Sequence, residues 1–287
     1  MRLDPDTGII TFRQSWLGNA MNCPEKGRRQ VLQPEQSRTS DEAFIGTAAH
    51  AGIEAVINGE CAASDIGDAV RAEYAHNPEV KQIYFARPQT HQSTIGECID
   101  LSIRCAEAWV VGLMPVAPWE EARTEVEFDQ YLFDHRGHPI HIKGTVDLAP
   151  TDDHPLWDWK TSANPYRQKD KQKGAVQPTV YCMADHLGGM GRTRPATSEF
   201  SYGVMIKRKK ECKTEVVTVQ RDLGHYQWLG KQLRAWVDLL LDTNASTPWP
   251  VIDDGNFLCS RTWCEYYDDC RGAAISNESD LFGYNPK

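Results

Sequence analysis

Asp147, Asp158 and Lys160 are the residues whose types and spacing could do chemistry. They lie in the stretch Ile140 to Ser162, IHIKGTVDLAPTDDHPLWDWKTS. Read as two strands joined by a turn, this stretch brings the two acids and the lysine near one another. On Leu156–Thr161 side chains alternate between faces, so Asp158 and Lys160 share one face, roughly 6–7 Å apart at Cα. Trp157 and Trp159 share the other face, where they can pack into a core. Two acids beside a lysine suit metal-dependent cleavage of a phosphodiester. Taken alone, Asp-x-Lys is a weak signal better read as an ordinary surface ion pair, and it is the flanking segments that reverse that reading.

Those segments set the positioning elements. Thr39–Gly59 reads as a helix, with Ser40 as cap, an apolar face and Gly59 as stop. Gly46 and His50 fall on one face of it, four residues apart. Residues 60–92 are helical in part, and Thr94–Gly112 is a helix containing Ile95, Ile99, Ile103, Ala106 and Val110. Arg123–Phe133 alternates as a strand carrying Glu125 and its same-face neighbour Glu127. Asp134-His135-Arg136-Gly137 reads as a turn, Pro139–Leu148 as the return strand and Leu156–Thr161 as a third strand. Asp170–Leu187 has helical spacing that puts Gln177 and Tyr181 on one face, with Pro178 forcing a kink or a start near Val176. A Gly/Arg/Pro loop spans 188–196. Strands over Phe200–Ile206 and Glu215–Gln220 and a helix over Asp222–Leu241 follow. Residues 1–40 read as irregular, apart from a brief helix capped by Ser15 that leads to Cys23-Pro24. The chain from Asn244 onward reads as loop-rich.

The chain of 287 residues, 40% hydrophobic, is long enough to bury a real core. It has no apolar run of membrane-spanning length and no signal-peptide pattern at its start, so a cytoplasmic location and no membrane partner are expected. Nine cysteines, an odd count, fit thiols, metal ligands or core residues better than disulfides. The net charge of -9 argues against a general nucleic-acid coat. Two local basic patches stand out: Arg167, Lys169, Lys171 and Lys173, and the run Lys207–Lys213. Each alone reads as a solvated face.

The ordered set Gly46-x-x-x-His50, Glu125, Gly144-Thr-Val-Asp147, Asp158-Trp-Lys160 and Gln177-x-x-x-Tyr181 resembles the RecB-like branch of the PD-(D/E)XK nuclease superfamily. Val146 stands where the family name has Pro. The resemblance implies an α/β fold with a restriction-endonuclease-like core: a central mixed β-sheet flanked by helices. One domain over 1–287 is expected, its core about 40–220. The Cys23 segment and 244–287 would form a helical, cysteine-bound layer. The resemblance further implies that His50, Asp147, Asp158 and the Trp159 carbonyl bind Mg²⁺ or Mn²⁺, and that Lys160 helps activate water or stabilises charge on the phosphate. Glu125 would be an additional acid, with Glu127 competing for that role. Gln177 and Tyr181 would shape the site or bind substrate.

Cys259, Cys264 and Cys270, with Cys23 at the other end of the chain, are similar to the cysteines of nucleases of the AddB and CRISPR-adaptation types. There one N-terminal and three C-terminal cysteines hold a [4Fe–4S] cluster. The first gap of this triplet is wider than in that pattern, and four thiolates also suit Zn²⁺. Trp263, Tyr266 and Tyr267 would shield the site. Cys98 and Cys105 read as packing residues, and Cys61, Cys182 and Cys212 as packing or surface residues.

The expected activity is a metal-dependent DNA exonuclease of recombination or repair, hydrolysing phosphodiesters with a metal-activated water. By analogy with phage-type exonucleases, it would work with a single-strand annealing or recombination protein, and a homo-oligomer is open. There is no GxxxxGK[ST] phosphate loop, so no helicase motor is expected. The alternatives are a structure-specific endonuclease, a non-catalytic DNA-binding scaffold that keeps the fold, and an iron–sulfur redox sensor.

Overall fold

The computed structural model describes residues 1–34, 39–151, 154–192, 199–244, 247–253 and 255–271. Residues 193–196 of the expected loop, and 245–246, 254 and 272–287 of the expected C-terminal layer, lie outside them.

A seven-stranded mixed sheet divides the molecule. Its order is β1 (Arg2–Leu3), β2 (Ile10–Arg13), β4 (His138–Pro150), β5 (Leu156–Ser162), β6 (Glu199–Ile206) and β7 (Lys213–Gln220), and β3 (Ala122–His135) also pairs with β4. β2 runs parallel to β4, and β5 parallel to β6; the other pairs are antiparallel. Helices α1 (Gln14–Asn22), α7 (Val176–His186) and α8 (Leu223–Asp242) cover one face, with Phe12, Leu17, Val180, Phe200, Leu229 and Leu233 in its core. Helices α3 (Asp41–Ile57), α4 (Ile66–His76) and α5 (Ile95–Gly112) cover the other, with Phe44, Ile53, Trp109, Trp157 and Trp159. This is an α/β architecture of the restriction-endonuclease-like kind.

Local signals account for most boundaries. The Ser40 side chain accepts from Ala43 N–H at the start of α3. Thr94 and Glu97 form a reciprocal capping box on α5, and the Asp222 carboxylate caps α8. The β3–β4 turn is tighter than expected: only Arg136 (φ 51°) and Gly137 (φ 82°) lie outside the strands, both left-handed, as a two-residue hairpin of the I′ kind requires.

Two expectations fail, and a third resolves to one of its two alternatives. Residues 1–40 are not irregular: they hold β1, β2, α1 and α2 (Pro24–Leu32). β2 has only four residues, and it is fixed by a partner strand that begins at His138, so no local period announces it. Ser15 does not cap α1; that helix starts at Gln14, behind Arg13. Over 170–187 the start near Val176 holds rather than the kink: α7 begins there, and a separate helix, α6 (Gln168–Gly174), precedes it. Pro178 sits in the first turn of α7, where its missing N–H costs nothing.

Trp157 and Trp159 settle the register of β5. Trp159 stacks edge-on against Trp109 of α5, with ring centroids 5.7 Å apart. The ring fits because Gly203 is its neighbour on β6: a Cβ there would lie 2.5 Å from the indole. Gly203→Ala is therefore expected to destabilise the protein by about 1–3 kcal/mol through overpacking, read as a lower denaturant midpoint at unchanged slope. An unchanged midpoint would show that the indole can shift.

Candidate active site

β4 and β5 share a single register pair, Leu148↔Trp157. Where the ladder opens, the Asp147 carboxylate takes a backbone donor instead: Trp159 N–H gives its hydrogen to Asp147 Oδ2 at 2.7 Å. This links the acid of one strand to the Asp-Trp-Lys of the other. Lys160 Nζ is in ion-pair contact with Asp158 Oδ2, and Asp158 is 1% exposed. Gln177 Nε2 donates to Asp158 Oδ1 (2.7 Å) and to Tyr181 Oη (3.3 Å), and Tyr181 donates to the Thr145 carbonyl (2.6 Å). Gln177 and Tyr181 thus brace Asp158 and β4 from α7. Tyr181 itself is buried, against Phe128 and Phe200. Gly144 leaves room for it, since a Cβ there would press on the Phe128 and Tyr181 rings.

α3 closes over the other side. Gly46 lies against Thr161, where a Cβ would come within 3.2 Å of the hydroxyl. One turn on, His50 Nδ1 is 3.4 Å from Asp147 Oδ2, and the ring faces the Trp159 backbone carbonyl. Burial and the Lys160 ammonium hold the imidazole pKa down at about 4, so it is neutral at pH 7.

Glu125 sits across β3 from Asp147, between the pairs Thr124↔Leu148 and Val126↔Val146, but with φ 44°. A left-handed glutamate inside a strand is strained. Burial and the charges of Asp147, Glu54 and Asp158 push its pKa up to about 7. Glu127 is opposite Thr145, two residues further along β3. Burial and Asp147 raise Asp158 to about 6, and burial also raises Asp147. Glu54 was not singled out from the sequence. It is one turn beyond His50 on α3, so helical spacing was the signal available, and its charge reaches both Asp147 and Glu125.

Asp147 and Asp158 are each met by a protein donor. Among the described residues, no three His, Cys, Asp or Glu side chains converge closely enough to hold an ion as they stand. The donor chemistry nevertheless suits a hard cation: carboxylate oxygens, a neutral imidazole and a backbone carbonyl lie together. Asp158 Oδ2 has the lysine against it and no well-formed hydrogen bond. One ammonium faces several crowded acids.

The second expected cluster lies at the chain ends. Cys23, between α1 and α2, and Cys259, Cys264 and Cys270 line one cavity of about 70 Å³, together with Lys26, Arg29, Trp263 and Tyr266. Lys26 lowers and Cys23 raises the Cys264 thiol; Arg29 lowers and Cys23 raises Cys270. Burial dominates, and both thiols sit above their usual range. Glu25, 2% exposed, ties the two ends together. It accepts from Arg28 (2.6 Å), from Arg29 (2.8 Å) and from the Trp249 backbone N–H (2.9 Å). The remaining cysteines lie elsewhere. Cys98, Cys105, Cys182 and Cys212 are buried, with Cys105 and Cys212 3.7 Å apart at sulfur, and Cys61 is half-buried.

Comparison with known proteins bears on the family and the fold. The model of the PD-(D/E)XK nuclease superfamily matches residues 16–271. A solved structure of a candidate exonuclease from Eubacterium rectale is similar in fold, with a TM-score of 0.56 and 12% identity over 90% of this chain and 92% of that one. The structure of SSO0001 overlaps 91% of this chain and 86% of its own at 14% identity, with a TM-score of 0.40, too low to bear on the argument. No curated protein matches the chain.

Proposed function

Because the chain belongs to the PD-(D/E)XK nuclease superfamily, we propose that it is a Mg²⁺- or Mn²⁺-dependent deoxyribonuclease of the RecB-like branch, an exonuclease working from DNA ends in recombination or repair. The observation that carries the reading is the meeting of His50, Asp147, Asp158 and Lys160 where α3 and α7 close over β4 and β5. Asp147, Asp158, His50 and the Trp159 carbonyl are the groups that would hold the cation. A bound divalent ion supplies Lewis acidity at the phosphoryl oxygen and lowers the pKa of water.

The chain's own groups divide the remaining work. Lys160 stabilises the charge that develops on the phosphate and orients the nucleophile. The neutral imidazole of His50, beside Asp147 Oδ2, offers a nitrogen ligand that a cation could take. Gln177 holds Asp158 Oδ1 so that its second oxygen faces inward, with Tyr181 fixing Gln177 in turn. Glu125 and Glu54 add acidic groups at the rim. End-directed action is supported by the fold it shares with the candidate exonuclease from Eubacterium rectale.

The test is digestion of end-labelled linear DNA beside a covalently closed circle, by wild type and Lys160→Met, with and without EDTA. Shortening of linear DNA alone, stopped by EDTA and by the substitution, is the expected result. Cutting of the circle makes the protein an endonuclease. DNA bound but never cut, with either Mg²⁺ or Mn²⁺, leaves the scaffolding role.

We also propose that Cys23, Cys259, Cys264 and Cys270 hold a [4Fe–4S] cluster, with Zn²⁺ as the alternative. The reading is supported by four thiols that line one cavity together with Lys26 and Arg29. Such a site would fasten both chain ends and contribute folding energy. Anaerobically purified protein is expected to contain iron and acid-labile sulfide, and Cys264→Ser to lose both and to melt at lower temperature. Zinc without sulfide selects the alternative; metal-free protein of unchanged stability ends the proposal.

A further inference from the structure

Resting on the nuclease reading, we propose that Lys171 is a backbone-phosphate clamp: a cation placed beside the site to bind a phosphodiester neighbouring the one that is cut. Its Nζ lies 3.6 Å from the centroid of the Tyr166 ring and 5.5 Å from that of Tyr202. Tyr202 is the register partner of Asp158 on the adjacent strand, so their side chains share a face of the sheet. The lysine therefore overhangs the face that carries Asp158 and Lys160. It is half-buried. Among the described residues, no carboxylate lies within ion-pair distance of it.

A surface lysine floats, and a buried one normally has an acid. Lys171 has aromatic faces and no acid, an arrangement that leaves the ammonium's hydrogens for a ligand of negative charge. Its position is also fixed by the fold. Arg221, 1% exposed, donates to the carbonyls of Lys171 (3.0 Å), Gln172 (3.3 Å) and Ala175 (2.9 Å), and so seals the end of α6. The Tyr166 backbone N–H donates to Glu215 Oε1. Such anchoring suits a contact that must keep register with the reacting centre. The fields of Lys160 and Asp158 both reach the Lys171 ammonium, consistent with one shared site. Lys169 and Lys173, on the same short helix, are exposed and lack this setting.

The test compares Lys171→Gln, Lys171→Arg and Lys173→Gln in the full chain. The readouts are binding of a fluorescein-labelled DNA duplex across a salt series, and KM and kcat for its degradation. Lys171→Gln is expected to weaken binding roughly tenfold. It should also flatten the dependence of log K on log salt by about one, and raise KM with kcat nearly unchanged. Lys171→Arg should restore most of the affinity, and Lys173→Gln should change it about twofold or less. Melting temperatures run alongside, because a merely structural lysine would move stability and leave the salt slope alone. Equal effects of Lys171→Gln and Lys173→Gln, or a fall in kcat at constant KM, overturn the proposal. Wild type that binds DNA without cutting it overturns the nuclease reading, while binding still reads Lys171 directly. Wild type that binds no DNA overturns both.

Discussion

Lys160→Met is expected to lower the single-turnover rate of DNA cleavage by roughly 10²–10³-fold, the loss found when one preorganised electrostatic group is removed from a transition state. Methionine keeps most of the stem that packs along β5 and removes only the charge. The ammonium is in contact with Asp158, an acid that burial and Asp147 already push up to about 6. Without the lysine that carboxyl takes up a proton more readily, and its oxygen becomes a poorer donor to a cation. The substitution therefore removes a phosphate-facing charge and weakens an acid at once. The measurement is the rate with enzyme in excess over end-labelled DNA, with DNA affinity and melting temperature followed in parallel. A rate within about twofold of wild type would sink the assignment. A loss matched by unfolding would move Lys160 from chemistry to stability.

The second large effect belongs to a residue with no chemistry. Glu25→Ala is expected to destabilise the protein by about 3–5 kcal/mol, since it strips a buried charge network of its centre and takes the shared acceptor away from Arg28, Arg29 and the Trp249 N–H. For a chain of this size that amounts to a drop in melting temperature on the order of 10 °C. The damage should be local at first. Glu25 joins α2 to the segment that leads into Cys259, so limited proteolysis is expected to cut between Trp249 and Arg271 before it touches the sheet. Glu25→Gln keeps a smaller acceptor and should fall between the two. Stability lost by less than about 1 kcal/mol would mean that the chain ends are held by the cysteine cavity alone.

Much of the core was legible from local pattern. Ser40, Thr94 and Asp222 announce helix starts, because a capping side chain acts within three residues of itself. The alternation of Asp158 and Lys160 against Trp157 and Trp159 assigned β5 its two faces. The four-residue steps Gly46–His50 and Gln177–Tyr181 placed His50 and Tyr181 on the faces of α3 and α7 that turn toward Asp147 and β4. The order of these motifs identified the family, and the family model spans the same elements.

What stayed hidden depends on partners far apart in the chain. β2 is four residues whose neighbour begins at His138, about halfway along the chain, and no periodicity can reveal that pairing. Glu54 looked like one more acid on a helix until α3 was laid over β4 and β5. The burial of Glu25 needs α2 packed on the segment at Trp249. Lys171 read as one of four exposed bases, and only the stacking of α6 on Tyr166 separates it from Lys169 and Lys173. The sequence by itself determined the chemistry present and the elements that carry it, because residue type, capping and side-chain alternation are local. The tertiary structure alone decided which of those groups meet and which acids are crowded above their usual pKa. Burial and charge–charge distance are properties of packed surfaces, and they do not exist until distant segments close on one another.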